Sequence, residues 1–192
     1  MNETSLTLLD RIQSAGSDQD WHLLEELYQP LLLAWAKRFQ VQSDDVADLI
    51  QDVLVTVLRE LPNFSHNGHA GAFRCWLRTI LLNRVRNHWW QSKRHLAGEA
   101  VHQELQELED EKSALSELWA EEHDRYLLQQ LLKSVREDLS SQPWQAFLQT
   151  AVENKSPQQV AEALGISTNT VMVAKSRVLS KFREKARGML NL

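Results

Sequence analysis

Apolar residues recur at three- and four-residue intervals along almost the whole chain, and no stretch alternates apolar and polar as a half-buried strand would. The pattern predicts a short amphipathic helix over residues 6–14 and a longer one over residues 20–39, with Leu23, Leu24, Leu27, Leu31 and Trp35 at helical spacing. Pro30 falls inside the second, where it has no N–H to donate to the preceding turn, so a kink or break is expected near Gln29. Ser43, Asp44 and Asp45 read as a helix start, with carboxylates at the positive end of the helix dipole. That helix carries Val46, Leu49, Ile50, Val53, Leu54, Val57 and Leu58 to Leu61, and Pro62 stops it. A polar loop over residues 63–71 leads into a long helix from about Ala72 to Lys93. Periodicity returns over residues 126–139, through Leu127, Leu128, Leu131, Leu132 and Val135, and again over residues 144–152.

The last unit, residues 156–189, carries the sharpest local signals. Ser156 caps a helix, Pro157 takes its first position and Gln159 can close a capping box. Val160, Ala161 and Leu164 form its inner face. Gly165 ends it, where a left-handed residue costs glycine little. Ser167 caps the next helix, whose inward side carries Val171, Ala174, Val178, Leu179 and Phe182. Two helices joined by a short Gly-containing turn, with a small Ala at the crossing, read as a helix-turn-helix; the bland alternative is a plain helical hairpin. The second helix would present Thr168, Asn169, Thr170, Met172, Val173, Ser176 and Arg177 to DNA, with Lys175, Lys181, Arg183, Lys185 and Arg187 suited to phosphates.

Six Gly and four Pro in 192 residues fit an all-α chain with few turns. The net charge of −5 argues against a nucleic-acid partner until the charge is located. Residues 1–60 hold 4 basic and 11 acidic residues, and residues 61–98 hold 6 basic and none acidic. Residues 99–138 hold 4 and 12, and residues 139–192 hold 7 and 3. Two basic stretches separated by acidic ones give two surfaces for a polyanion; chance clustering on solvated faces is the competing account. The early part of the acidic run over residues 98–124 reads as a linker that is helical only in places. A single cysteine, Cys75, excludes an intramolecular disulfide framework and a cysteine-built zinc site, and suits a reducing cytoplasm. No apolar run approaches the ~20 residues that span a bilayer, and no basic leader with an apolar core begins the chain. A soluble, cytoplasmic protein without membrane insertion is expected.

On an ideal helix, Asn83, Arg86, Asn87, Trp90 and Arg94 share an arc of about 100°. Amides read base edges, guanidinium groups bind phosphate or guanine, and indoles stack on unpaired bases. Adjacent Trp89 and Trp90 cannot both point inward on one helix, so one is expected at an edge or in solvent. Both tryptophans packing on the acidic helices, with the arginines merely solvated, is the alternative.

Three segments in register resemble the bacterial RNA polymerase sigma factors. Residues 44–53, Asp-Asp-Val-Ala-Asp-Leu-Ile-Gln-Asp-Val, are similar to the part of sigma domain two that docks the clamp helices of core polymerase. Residues 71–77, Gly-Ala-Phe-Arg-Cys-Trp-Leu, with residues 82–87, Leu-Asn-Arg-Val-Arg-Asn, resemble the promoter-melting helix that reads the minus-ten element. Residues 156–183 resemble the helix-turn-helix of domain four, which reads the minus-thirty-five element. The lack of a recognisable domain three resembles the extracytoplasmic-function group. The resemblance implies sigma domain two over residues 1–96, an acidic linker over residues 97–123 and sigma domain four over residues 124–192. It implies polymerase docking by Asp45, Asp48, Leu49, Gln51, Asp52 and Val53. It implies minus-ten contacts from the arc above and from the loop residues Phe64, His66, Asn67 and His69. Minus-thirty-five contacts fall to Thr168, Asn169, Thr170, Lys175, Ser176, Arg177 and Lys181. Core RNA polymerase and promoter DNA are the implied partners, with an anti-sigma factor as a further one by analogy. The sequence departs from the pattern at Asn87, where the family often has Asp, and at Met172 and Ala174, where basic residues are frequent.

Two other readings compete. One is a stand-alone helix-turn-helix regulator that binds duplex without polymerase; the acidic face over residues 44–53 and the acid-free stretch over residues 61–98 speak against it. The other is an enzyme, but the chain has no Gly-rich phosphate loop, no cofactor motif and no nucleophile–base pair that stands out. His66 and His69 lack nearby carboxylate or Cys partners in sequence for a metal.

Overall fold

The computed structural model describes residues 7–65, 71–91 and 99–189. Among these the chain is all-α, in agreement with the periodicity. Two compact units divide at Leu127 and Leu128.

The first unit opens with α1 (Leu8–Ala15) and α2 (Asp18–Arg38), each begun by a capping box, Thr7 with Asp10 and Ser17 with Asp20. In each box the cap hydroxyl accepts from a backbone N–H while the third helical residue's carboxylate accepts from the cap's own N–H. Helix α2 continues through Pro30, contrary to the expected break. Pro30 and Glu26 both face solvent, so water can satisfy the Glu26 carbonyl that loses its helical partner. Leu27, Tyr28, Leu31, Leu32 and Trp35 on the opposite side are buried and hold the helix in one piece.

Helix α3 (Ser43–Glu60) places two carboxylates, Asp44 and Asp45, in its first turn and sinks Val46, Leu49, Ile50, Val53 and Val57 into the core. A 3₁₀ turn, Leu61–Asn63, follows at Pro62. Gln13 of α1 ties this turn down, its side-chain amide donating to the carbonyls of Leu61 at 3.0 Å and Phe64 at 2.6 Å. Helix α4 (Ala72–Gln91) packs on α3 and α2, with Phe73, Leu77, Ile80, Leu81, Leu82 and Val85 inside.

The segment expected as an acidic linker, residues 97–123, is organised differently. From residue 99 it forms α5 (Glu99–Glu109) and the first half of α6 (Ala114–Glu137). Val101, Leu105, Leu108, Leu115 and Trp119 are all buried, and α5 packs on α4. The Trp119 ring meets Trp35 edge-on at 5.0 Å, and its indole N–H donates to the Arg74 carbonyl at 3.2 Å. The carboxylates that suggested a linker occupy the outer faces of these helices, while a sparser set of apolar residues at helical spacing builds the inner face.

The second unit contains the end of α6, α7 (Ser141–Ala151), α8 (Pro157–Leu164) and α9 (Thr168–Met189). Its core joins Leu131, Val135, Phe147 and Val178 to a second cluster of Ala146, Val160, Ala161, Val171 and Ala174. The start and end of α8 follow the sequence signals. Ser156 and Gln159 close the capping box, and Gly165 sits at φ 64°, ψ 35°, the left-handed cap. The Ser167 hydroxyl then accepts from the Thr170 N–H at 3.1 Å to start α9.

If residues 99–123 are part of the first unit's core, Trp119→Ala should cost about 3–5 kcal/mol of that unit's stability. Urea unfolding followed by circular dichroism measures this; a tether would leave the midpoint unchanged.

Candidate nucleic-acid and polymerase interfaces

Helix α3 is the candidate polymerase-docking element, and its surface has two edges. Asp45, Asp48 and Asp52 line a polar cleft of about 190 Å³ with Leu49 and with Arg84, Asn87, His88 and Gln91 of α4. Asp48 and Asp52 are exposed; Asp45 is half-buried, 3.7 Å from His88 Nε2. Gln51 lies on the other edge, in an apolar groove of about 270 Å³ formed with Trp21, Leu24, Glu25, Leu54, Val55 and Leu58. Leu49 and Val53, expected among the docking residues, are instead buried in the core. They share the arc of Val46, Ile50 and Val57 on this helix, so their side chains support the face from beneath. Val55 and Leu58, at 60% and 49% exposure, were not singled out by the sequence reading. Their signal was present: apolar residues on α3 extend well beyond the ~100° that one buried stripe needs.

The arginines of α4 serve the fold. Arg74 holds both Asp124 oxygens at 2.8 Å through Nη1. Gly71, at φ 84°, lies so close to this guanidinium that a Cβ would stand 2.7 Å from Arg74 Nη2. Arg78 is buried beside Glu111, at 3.7 Å. Arg84 donates to the Thr56 hydroxyl at 2.8 Å, which in turn donates to the Asp52 carbonyl at 2.7 Å, clamping α4 to α3. Arg86 forms a two-pronged ion pair with Glu109 of α5, one arm at 3.2 Å. Its hydrogen bonds hold the Glu109 carboxyl below the usual carboxylate range. Three of the four described arginines in this stretch, Arg74, Arg78 and Arg86, thus face carboxylates within their own unit.

An open strip remains on α4. Asn83 and Asn87 are exposed, and Trp90 is 86% exposed, while Trp89 is half-buried against His88. Phe64 is half-buried, packed against Phe73 and Trp76 with ring centroids 5.9 Å and 4.9 Å away. Arg94, His66, Asn67 and His69 lie outside the described residues.

On α9, Thr168, Asn169, Thr170, Met172, Val173, Ser176 and Arg177 are exposed and Lys175 is half-buried. Lys181, expected at DNA, is 3.6 Å from Asp138, which also pairs with Lys185 at 2.9 Å. Lys185 further donates to the Ser134 carbonyl and hydroxyl. Both lysines lie toward the α6 side of α9, which leaves Arg177, Arg183 and Arg187 on the exposed surface.

Residues 24–95 match the Sigma-70 region 2 family. The curated RNA polymerase sigma-E factor of Streptomyces avermitilis is 28% identical over 160 residues, covering 82% of this chain and 79% of that protein. Residues 24–95 are thus similar to a sigma-70 region 2, and most of the chain is similar to an RNA polymerase sigma factor. The solved structure of CnrH in complex with the cytosolic domain of CnrY matches at 22% identity over 93% of this chain and 94% of that one, with a TM-score of 0.37. Among the described residues, no helix is long and apolar enough to cross a membrane.

The ion-pair seam beneath the α4 strip is pH-sensitive. His123 is buried beside Tyr28 and Trp119, with Nδ1 3.0 Å from Asp124. Burial pushes its imidazole below the ordinary value of 6.5, against the opposing pull of Asp124. Burial by itself would raise the Asp124 carboxyl, but hydrogen bonds from His123 and Arg74 outweigh it and lower the group. The unfolded chain therefore takes up the histidine proton first, and stability falls as pH drops below about 6.5. The stability that the paired Asp124 and Glu109 contribute is lost at lower pH still, as their carboxyls are held below the ordinary carboxylate range. The melting temperature of wild type should decrease between pH 7.5 and 5.5, and His123→Phe should flatten that slope.

Proposed function

We propose that this chain is an RNA polymerase sigma factor of the extracytoplasmic-function group that partners core polymerase and promoter DNA, directs transcription initiation and divides promoter recognition between its two units, the first docking core polymerase through α3 and capturing opened minus-ten DNA on α4, the second gripping the minus-thirty-five duplex through α9. Polymerase supplies all catalysis; the chain is not itself an enzyme, and it works in the cytoplasm, where its partners are. The division corresponds to sigma domain two and sigma domain four. The acidic helices α5 and α6 complete domain two before the chain passes to domain four.

The observation that carries this reading is the α4 strip. Asn83, Asn87 and the 86%-exposed Trp90 lie together on a helix whose described cations have partners inside the fold. An amide-and-indole surface suits hydrogen bonding and stacking on unpaired bases more than phosphate grip. For docking, the exposed carboxylates of Asp48 and Asp52 beside the apolar Val55 and Leu58 suit a partner helix with both basic and apolar residues. The stand-alone regulator accounts for α9 alone.

Pull-down of purified core RNA polymerase tests the docking face. Asp48→Arg/Asp52→Arg should bind at least tenfold more weakly with helicity unchanged, and Val55→Glu should weaken binding independently. A folded wild type that fails to bind core overturns the reading. The Trp90 role is tested separately: holoenzyme carrying Trp90→Ala should bind a non-template minus-ten oligonucleotide about five- to a hundredfold more weakly, the cost of one stacked base. Its affinity for core should be unchanged.

A further inference from the structure

Helix α9 exposes two large apolar side chains where a DNA-reading helix would be expected to carry cations. Met172 is 51% exposed and Val173 58%. Their neighbours in sequence, Val171 and Ala174, are buried against α8 and α7, so the rotation of the helix is fixed. At 100° per residue, Asn169, Met172, Val173 and Ser176 fall within an arc of about 100° on the outer side. This arc holds an amide, a thioether, a branched alkyl group and a hydroxyl, and no cation. Arg177 lies about 40° beyond its edge and a turn on from Val173; Arg183 and Arg187 continue the outer face about 21 Å and 27 Å along the axis from Asn169. The partner of such a helix must offer apolar groups at its N-terminal half and anionic groups further along.

The major groove of duplex DNA offers this combination. Its edges present one apolar group, the C5 methyl of thymine, and adenine presents the N6/N7 pair that an amide side chain binds with two hydrogen bonds. Guanine is ordinarily read by Arg or Lys through O6 and N7, and the outward arc carries neither. Phosphates would meet Arg183 and Arg187.

We propose that α9 reads A·T pairs in the upstream promoter element, with Met172 and Val173 packing on thymine methyls and Asn169 bound to an adenine. This rests on the sigma reading above and names the bases that its second unit selects. The pair Met172 and Val173 discriminates by apolar contact, so its effect is confined to the methyl and leaves phosphate affinity unchanged.

The test uses the full chain assembled with core polymerase. Selection from a pool of duplexes randomised upstream of a fixed downstream region should enrich an element containing thymines. Duplexes in which those thymines are replaced by deoxyuridine lose only the methyls. Wild-type holoenzyme should bind them about fourfold more weakly per contacted methyl. Met172→Ala/Val173→Ala should bind thymine and deoxyuridine duplexes equally, at the weaker level, with the same salt dependence as wild type. Met172→Leu should restore much of the discrimination. Equal binding of both duplexes by wild type overturns the proposal, as does discrimination that survives in the double alanine variant or a guanine-dominated element insensitive to it. In those outcomes the apolar pair faces a protein, and the sigma reading stands. If the holoenzyme enriches no upstream element, the reading of the second unit falls with the proposal; failure to bind core polymerase is the separate outcome that removes the sigma function itself.

Discussion

The first unit depends on the neutralisation of α4 by α5 and α6. A helix from an acid-free stretch can sit deep in a helical unit only if carboxylates arrive from elsewhere, because an unpaired cation loses its hydration on burial. Asp124, Glu111 and Glu109 supply them to Arg74, Arg78 and Arg86 in turn. Exposed pairs of this kind contribute little by themselves. Here they are aligned by buried contacts: Val101, Leu105 and Leu108 set α5 on α4, and Trp119 wedges α6 against Trp35. Packing positions the carboxylates, and the carboxylates make a buried Arg78 tolerable.

A functional consequence follows from where the cations are spent. With Arg74, Arg78, Arg84 and Arg86 engaged by the protein, the exposed strip of α4 is left with amides and an indole. Such a strip has low intrinsic affinity for a phosphate backbone, and its chemistry suits the stacking on unpaired bases proposed above. The second unit shows a related economy. Asp138 and Ser134 hold Lys181 and Lys185, which turns these two cations toward α6 and away from the outer face of α9. In both units charge serves first to assemble helices, and the described arginines of α4 and two of the lysines of α9 have partners inside the fold.

Helix α3 borders both candidate surfaces of the first unit. Its buried arc is shared with α2 and α4, its acidic edge borders α4 across the polar cleft, and its apolar edge borders α2. Thr56 and Arg84 fasten the acidic edge to the α4 strip, so a partner seated on Asp48 and Asp52 bears on the same helix pair that carries Asn83, Asn87 and Trp90.

Local signals in the sequence determined much of this protein. Helical period, the Ser156 box and the Gly165 cap depend on neighbours within a few residues, and they gave α8, α9 and the all-α class directly. The adjacent Trp89 and Trp90 required that one lie outward, because neighbours on a helix are 100° apart. Tertiary structure decided what depended on distant partners. Pro30 continues a helix because buried residues on the far side hold it. Leu49 and Val53 are buried because the core arc of α3 is chosen by α2 and α4. Residues 99–123 join the first unit because Trp35 and α4 provide a surface for apolar residues too sparse to announce a core alone. Charge in a sequence gives quantity and order along the chain; which charges face water is settled only when helices far apart in sequence meet.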